Sequence, residues 1–188
     1  MKQYGVIVAD CPWKYGNTGC RGAAENHYAT MSVSDLAALP ISLMASENAV
    51  LFQWATWPML IEALDVMRAW GFTYVTGLPW IKIQGDPSRN LWGELCITPQ
   101  YGVGFWVRGC SEPLLIGRRG DVSPMTSDLI GLLSDNLHHS RKPENVYHIA
   151  ERLPCPYLEL FARRGRTGWD VWGHEAPSGL TESMSNAE

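Results

Sequence analysis

The chain has 188 residues, of which 46% are hydrophobic, and this composition suits one domain with one substantial core. Its formal net charge of -4 gives no sign of a nucleic-acid-binding coat over the whole surface, so any such contact needs a local basic patch or a partner. No apolar run reaches transmembrane length, and the first one is too short for a secretory signal.

The cysteines and histidines favour neither a metal site nor a disulfide framework. The five cysteines stand at positions 11, 20, 96, 110 and 155, and no two of them form a C-x-x-C pair. Among the five histidines, His138 and His139 are adjacent and would not share a face of a helix or strand. We therefore expect no bound metal and a reducing, cytoplasmic location.

Strands and helices alternate along the first half of the chain. Continuous apolar runs predict strands covered on both faces, and Gly71 ends a stripe of apolar residues at helical spacing. The predicted elements are a strand at Tyr4–Ala9, a helix from Ser32 to Leu39, a strand at Asn48–Trp54, a helix at Pro58–Trp70 and a strand within Phe72–Lys82.

The second half contains longer connections. Residues 85–109 are rich in glycine, proline, asparagine and aromatic residues, which predicts loops, and we expect residues 120–139 to be mobile. The predicted elements are a strand at Pro113–Ile116, a helix at Pro143–Leu153, a strand at Tyr157–Ala162 and a last strand at Trp169–Trp172. Residues 176–188 form a polar tail that we expect to be disordered.

This alternation predicts an α/β fold, with a Rossmann-like, mostly parallel sheet and helices on both faces. We expect one domain over residues 1–175. Ligands of such sheets bind at the carboxyl ends of the strands. Two predicted strands end in residues that suggest a site there, one at Asp10 to Trp13 and the other at Glu159 to Arg163.

The segment Asp10-Cys11-Pro12-Trp13 resembles the D-P-P-[YFW] motif of amino-group methyltransferases. Further motifs follow in the order of one branch of these enzymes, the MT-A (seventy-kilodalton subunit) family of N6-adenine methyltransferases. The resemblance runs from Tyr4 to Glu175. It rests on "HYATMS" at 27–32, "LFQWAT" at 51–56, "WIK" at 80–82, "SRKPENVYHIAERL" at 140–153, "LELFARR" at 158–164 and "GWDVWGHE" at 168–175.

The chemistry of the opening motif follows from the poor nucleophilicity of adenine's exocyclic amine, whose lone pair is delocalised into the ring. Two acceptors for its N–H bonds favour a pyramidal amine with an available lone pair. Asp10 offers a carboxylate and Cys11 a backbone carbonyl, while Pro12 stiffens the turn. Trp13 offers a flat face on which a base can stack. Cys11 replaces the proline usual in the family, which removes one fixed φ angle but keeps the carbonyl.

The resemblance implies S-adenosylmethionine as methyl donor, with Asp10 at its site. It places Lys142 at the donor carboxylate and Phe161 and Arg163 beside its adenosine. It also places His174 and Glu175 at the ribose hydroxyls, with His174 replacing the usual asparagine, an amide of different hydrogen-bonding geometry.

The resemblance also implies nucleic acid as the substrate, with Trp13, Lys14, His27, Tyr28 and Trp106 around the incoming base. We expect DNA in preference to RNA, because a lone domain of this size is similar to phage and bacterial DNA-modifying enzymes. Alternatives are an RNA adenine methyltransferase, transfer to a protein or small-molecule amine, and an inactive member that serves as a nucleic-acid-binding or partner scaffold. Either a homo- or a hetero-oligomer is compatible with the sequence.

Overall fold

A computed structural model of the chain describes residues 2–15, 29–102, 106–123, 132–135 and 142–173. The predicted polar tail lies outside these ranges. The elements within them are β1 (Tyr4–Asp10), α1 (Val33–Ala38), α2 (Ile41–Met44), β2 (Ala45–Trp54), a 3-10 turn (Trp57–Met59), α3 (Leu60–Ala69), β3 (Thr73–Ile83), β4 (Ser88–Arg89), β5 (Leu95–Cys96), β6 (Ser111–Arg119), β7 (Leu132–Asp135), α4 (Asn145–Ala150), β8 (Tyr157–Leu160) and β9 (Trp169–Trp172).

Seven of these strands form one mostly parallel sheet in the order β7-β3-β6-β2-β1-β8-β9. The pairs of β1 with β2, β1 with β8, β8 with β9 and β3 with β7 are parallel. Only β6 runs against its neighbours β2 and β3. The central β1 is therefore flanked by parallel strands on both sides, as its continuous apolar run predicted.

The sheet carries a hydrophobic cluster on each face. Ile7 and Leu51 belong to the cluster that includes residues of α1, α2 and α3. Val8 and Phe52 belong to the other cluster, which includes residues of α4. Since successive side chains of a strand point to opposite faces, this division shows helices on both sides of the sheet. The predicted fold class is confirmed.

Local sequence signals explain how α1 begins and how α3 begins and ends. The Ser32 hydroxyl caps α1 by accepting a hydrogen bond from the backbone N–H of Asp35 at 3.1 Å. The 3-10 turn, with Pro58 in its first positions, leads directly into α3. Gly71, with φ of 84°, follows α3 and lets the chain reverse into β3.

The structure differs from the predicted elements in the second half of the chain. Within 85–109, β4 and β5 form a hairpin in a segment predicted as loops. Within 120–139, β7 pairs with β3 where we expected a mobile connection. Strand β6 is also longer than predicted, because it extends along both β2 and β3. Each of these strands depends on pairing with a neighbouring strand, and the composition of the segment itself does not predict that pairing.

The topology brings several strand ends together at one edge. The carboxyl ends of β1, β2, β3, β8 and β9 meet the amino end of β6, since β6 alone is antiparallel to its neighbours. None of the helices in the described ranges is long and apolar enough to cross a membrane.

Candidate active site

Four charged side chains form a continuous series of ion pairs at this edge, which we term the charge chain: Asp10, Lys142, Glu112 and Lys82. Lys142 Nζ lies 3.0 Å from Asp10 Oδ1 and 3.3 Å from Glu112 Oε2. Lys82 Nζ lies 2.5 Å from Glu112 Oε1. The Asp10 side chain is 33% exposed, compared with 15% to 23% for the other three. The charge chain therefore opens to solvent at the Asp10 carboxylate.

Two tryptophan rings lie beneath the charge chain. Trp54 ends β2 and Trp80 lies in β3, and their rings meet edge to face with centroids 5.6 Å apart. The Lys142 ammonium lies 5.7 Å from the Trp54 centroid and 5.8 Å from that of Trp80, and Lys82 Nζ lies 5.0 Å from Trp80. Both rings are 1% exposed. They therefore provide a rigid floor with cation–π contacts rather than an open surface.

Opposing effects decide the ionisation of the two innermost groups. Burial of Lys142 acts to lower its pKa, but the carboxylates of Asp10 and Glu112 outweigh it and raise the pKa above its ordinary value. Burial of Glu112 acts to raise its pKa, but Lys142 and then Lys82 outweigh it and leave the pKa below its ordinary value. Both groups are therefore charged at neutral pH.

Backbone hydrogen bonds fix the turn that follows β1. The Trp13 N–H donates to the Cys11 carbonyl at 2.9 Å, which closes a tight turn around Pro12. The Met31 N–H donates to the Pro12 carbonyl at 2.9 Å, and the Lys14 N–H donates to the Met31 carbonyl at 3.2 Å. The Cys11 carbonyl oxygen has two lone pairs, so it can accept a second N–H from a ligand.

The Cys11 thiol points into the core. Cys11 is 4% exposed, and the Gln53 side-chain amide donates to its sulfur at 4.0 Å. Burial, reinforced by the charge of Asp10, raises the pKa of the thiol well above its ordinary value, and the bond from Gln53 opposes this only partly. The thiol is therefore protonated at neutral pH and is a poor nucleophile. This finding supports the interpretation that Cys11 contributes its carbonyl.

The predicted stacking residue Trp13 is buried in this structure. It is 5% exposed and belongs to the same hydrophobic cluster as Cys11, on the face of the sheet that carries α1 and α3. Trp54 and Trp80, by contrast, belong to the cluster on the opposite face. The ring of Trp13 is thus separated from the aromatic floor of the charge chain, and its role in stacking stays a prediction.

The ends of β8 and β9, which lie beside β1, form a closely packed turn that we term the cradle. Phe161 adopts a left-handed conformation with φ of 62°, which is uncommon for a non-glycine residue and marks a constrained turn. Its ring meets that of Trp172 edge to face at 5.2 Å. A Cβ on Gly173 would lie 2.3 Å from the Ala162 carbonyl oxygen, so only glycine fits there.

An ionic and aromatic network ties this cradle to the segment that carries Lys142. Glu144 pairs with Arg164 and Arg166, which follow β8. The Arg166 guanidinium lies 3.4 Å from the centroid of the Tyr147 ring, and the Tyr147 hydroxyl donates to Glu159 at 2.8 Å. Burial raises the pKa of Glu159 and is opposed by that hydrogen bond. The network fixes the turn after β8 against the start of α4.

The structure places Asp10 next to Lys142 but does not place every predicted site residue beside them. Lys14 and Arg163 are exposed, and Phe161 is half-buried in the cradle. Trp106 is 98% exposed, so its ring packs on almost nothing within the described chain. The predicted residues outside the described ranges are His27, Tyr28, His174 and Glu175.

Glu112 and Lys82 belong to the charge chain but were not predicted as site residues from the sequence. Lys82 lies in the "WIK" motif near the end of β3, so the motif itself was a usable signal. Glu112 was harder to find, because it enters the site from the amino end of the antiparallel β6. Within the described ranges, three or more metal-ligating side chains do not come together anywhere.

A profile of the MT-A70 family matches residues 4–175. The chain belongs to the MT-A70 family. The family resemblance carried by the ordered motifs is thereby confirmed.

Several individual proteins are similar to this member of the family. The chain is 25% identical to the Type II methyltransferase M.MunI of a Mycoplasma species, over 100% of this chain and 84% of that protein. It is 25% identical to the human N(6)-adenine-specific methyltransferase METTL4 and 24% identical to the human N(6)-adenosine-methyltransferase catalytic subunit METTL3. These matches cover 93% and 87% of the chain but only 38% and 26% of the human proteins. The prediction of an N6-adenine methyltransferase is confirmed at the level of the family.

Proposed function

We propose that this chain transfers a methyl group from S-adenosylmethionine to the N6 amine of adenine in DNA. The observation that carries the proposal is the charge chain, whose most exposed member is the Asp10 carboxylate. Lys142 and Glu112 hold this carboxylate at the sheet edge where ligands of parallel sheets bind.

The proposed chemistry uses two acceptors on one turn. The Asp10 carboxylate accepts one N–H of the adenine amine and the Cys11 carbonyl accepts the other, which frees the nitrogen lone pair for attack. The hydrogen bond from Trp13 N–H to the Cys11 carbonyl fixes the direction of that acceptor. Neither acceptor must reorganise during the reaction, and such preorganised electrostatics are a large source of catalysis.

Lys142 has a positioning role in this account. Its ammonium bridges Asp10 and Glu112, so the Asp10 carboxylate is anchored from one side while the other faces the substrate. The family resemblance implies that Lys142 also binds the donor carboxylate. Because Lys142 pairs directly with Asp10, it would share its charge between the two carboxylates. This sharing makes the contribution of Lys142 to donor affinity smaller but does not abolish it.

We assign the donor to the cradle at the ends of β8 and β9, where the family resemblance places its adenosine. Its backbone is constrained at Phe161, and Gly173 packs directly against the backbone of Ala162, so the turn after β8 is held in one conformation. Phe161 and Arg163 would hold the adenosine, with His174 and Glu175 at the ribose hydroxyls. When bound there, S-adenosylmethionine supplies an electrophilic methyl group beside Asp10.

DNA is the proposed substrate, because the chain spans most of a bacterial Type II methyltransferase and a much smaller part of the METTL3 adenosine methyltransferase. The adenine must leave the base stack to reach Asp10. We further propose one catalytic domain over residues 1–175 and a cytoplasmic location, in keeping with the free thiols of Cys11, Cys96, Cys110 and Cys155.

The test is incubation with labelled S-adenosylmethionine and either unmethylated DNA or RNA, followed by digestion to nucleosides. We expect label in N6-methyldeoxyadenosine. Label in N6-methyladenosine from RNA would show that the substrate is RNA and not DNA. Label in a protein fraction would show that the substrate is a protein amine. Donor binding by calorimetry without transfer to any acceptor would favour the inactive scaffold.

A further inference from the structure

The segment from Gln84 to Gly109 carries an exposed apolar surface that the charge chain does not use. More than half of the exposed large hydrophobic side chains in the described ranges fall within it. At the turn between β4 and β5, Leu91 is 97% exposed and Trp92 is 82% exposed. These two adjacent large apolar side chains bury almost none of their surface within the described chain and are therefore available for contact with a partner.

The turn that presents these side chains is highly organised. The Asn90 side-chain oxygen accepts hydrogen bonds from the backbone N–H groups of Trp92 at 3.0 Å and Glu94 at 2.9 Å. The Asn90 side-chain amide donates to the Glu94 carboxylate at 2.6 Å, and Gly93 takes φ of 79°. Leu91 and Trp92 are therefore held outward by a defined turn, which reduces the entropy cost of using them for binding.

The hairpin is joined to the strand that supplies Lys82. The Gln84 N–H donates to the Thr98 carbonyl and the Gln100 N–H to the Lys82 carbonyl, both at 2.8 Å. The extended chain from Ile83 to Leu91 spans at most roughly 26–29 Å, comparable to about eight stacked base pairs. The hairpin turn therefore lies no farther than this from Ile83, which ends β3 at the edge of the sheet that carries the charge chain.

The segment from Gln84 to Cys110 carries no net charge. Between residues 84 and 110 the acids Asp86 and Glu94 balance the bases Arg89 and Arg108. A neutral surface gains little from phosphates, whereas an indole ring stacks on any base. Apolar side chains of this size insert between base steps in proteins that deform duplexes.

We propose that Leu91 and Trp92 form a wedge that enters the base stack of duplex DNA and fills the gap left when the target adenine turns out toward Asp10. This inference rests on the proposed function. It predicts that the wedge matters most for duplex substrates, in which the adenine must be unpaired and unstacked, and least for single strands.

The experiment compares methyl transfer to a long unmethylated duplex DNA with transfer to the same DNA as separated strands. The variant combines Leu91→Ala with Trp92→Ala, and we expect its ratio of duplex to single-strand rate to fall by about tenfold or more. The matched control combines Leu43→Ala with Ile61→Ala, two exposed apolar residues on α2 and α3, and should leave the ratio unchanged.

Each other outcome overturns the wedge. Equal losses on both substrates, accompanied by a smaller sedimentation coefficient, would identify the surface as a protein interface. An unchanged ratio, or wild-type protein that methylates only single strands, would also refute it while leaving the proposed function intact. Absence of transfer from wild type to any adenine-containing nucleic acid would refute the proposed function itself, and the wedge with it.

Discussion

Removing the ammonium of Lys142 should show whether this residue anchors Asp10 in the charge chain or behaves as an ordinary surface lysine. At 3.0 Å, the attraction between Lys142 and Asp10 is about 1.4 kcal/mol at the dielectric constant of water and about 5.5 kcal/mol at an effective value of about 20. Desolvation offsets part of this attraction, and Asp10 is one-third exposed. We therefore expect Lys142→Met and Asp10→Asn to show a coupling free energy of about 1–3 kcal/mol.

The assay is urea unfolding of wild type, both single variants and the double variant, at neutral pH and low salt. The matched cycle uses Arg68→Met and Asp65→Asn, a pair on α3 in which both side chains are more than half exposed. That surface pair should couple by no more than about 0.5 kcal/mol. If Lys142 and Asp10 couple no more strongly than this control, the charge chain does not anchor Asp10 and the reasoning about the site is refuted.

Three further predictions concern individual residues of the site. Cys11→Ser should keep most of the methyl transfer measured with labelled donor, and Cys11→Pro should keep or raise it, because the carbonyl persists; loss of turnover in both would indicate a working thiol. Glu112→Gln should destabilise the protein most at neutral pH. Since the folded-state pKa of Glu112 lies below its ordinary 4.5, its contribution is present above that pH and is lost as pH falls further, so variant and wild-type unfolding free energies should converge in acid; a constant gap would contradict this. Gly173→Ala should lower the free energy of unfolding by about 1–3 kcal/mol through backbone overlap with Ala162, whereas Gly109→Ala, with open space around its Cβ, should not.

The sequence predicted the sheet and the strand end at Asp10, because both depend on local patterns. The continuous apolar run of β1 and its end at Asp10 are visible in a few residues, and parallel strands place such ends together. The pairing of Asp10 with Lys142 was not predicted, because the two residues meet only through the order of strands in the sheet.

The direction of side chains beyond the end of a strand also could not be predicted from the sequence. Trp13 was predicted to offer a flat face for stacking. The turn around Pro12 directs its ring into the cluster that contains Cys11, and its role in stacking stays a prediction. Glu112 escaped notice because the amino end of an antiparallel strand reaches the same edge as the carboxyl ends of parallel ones. The direction of the Trp13 ring and the position of Glu112 both depend on how the strands and turns pack in the folded chain, and not on local composition.

The central claim is that the Asp10 carboxylate prepares the adenine amine for methyl transfer, and one measurement tests it most directly. Single-turnover transfer to DNA should be compared for wild type, Asp10→Asn and the control Asp65→Asn, with unfolding and donor affinity measured on the same samples. We expect Asp10→Asn to remain folded and to lose transfer by orders of magnitude, while Asp65→Asn behaves as wild type. Near-wild-type transfer by folded Asp10→Asn protein would contradict the account.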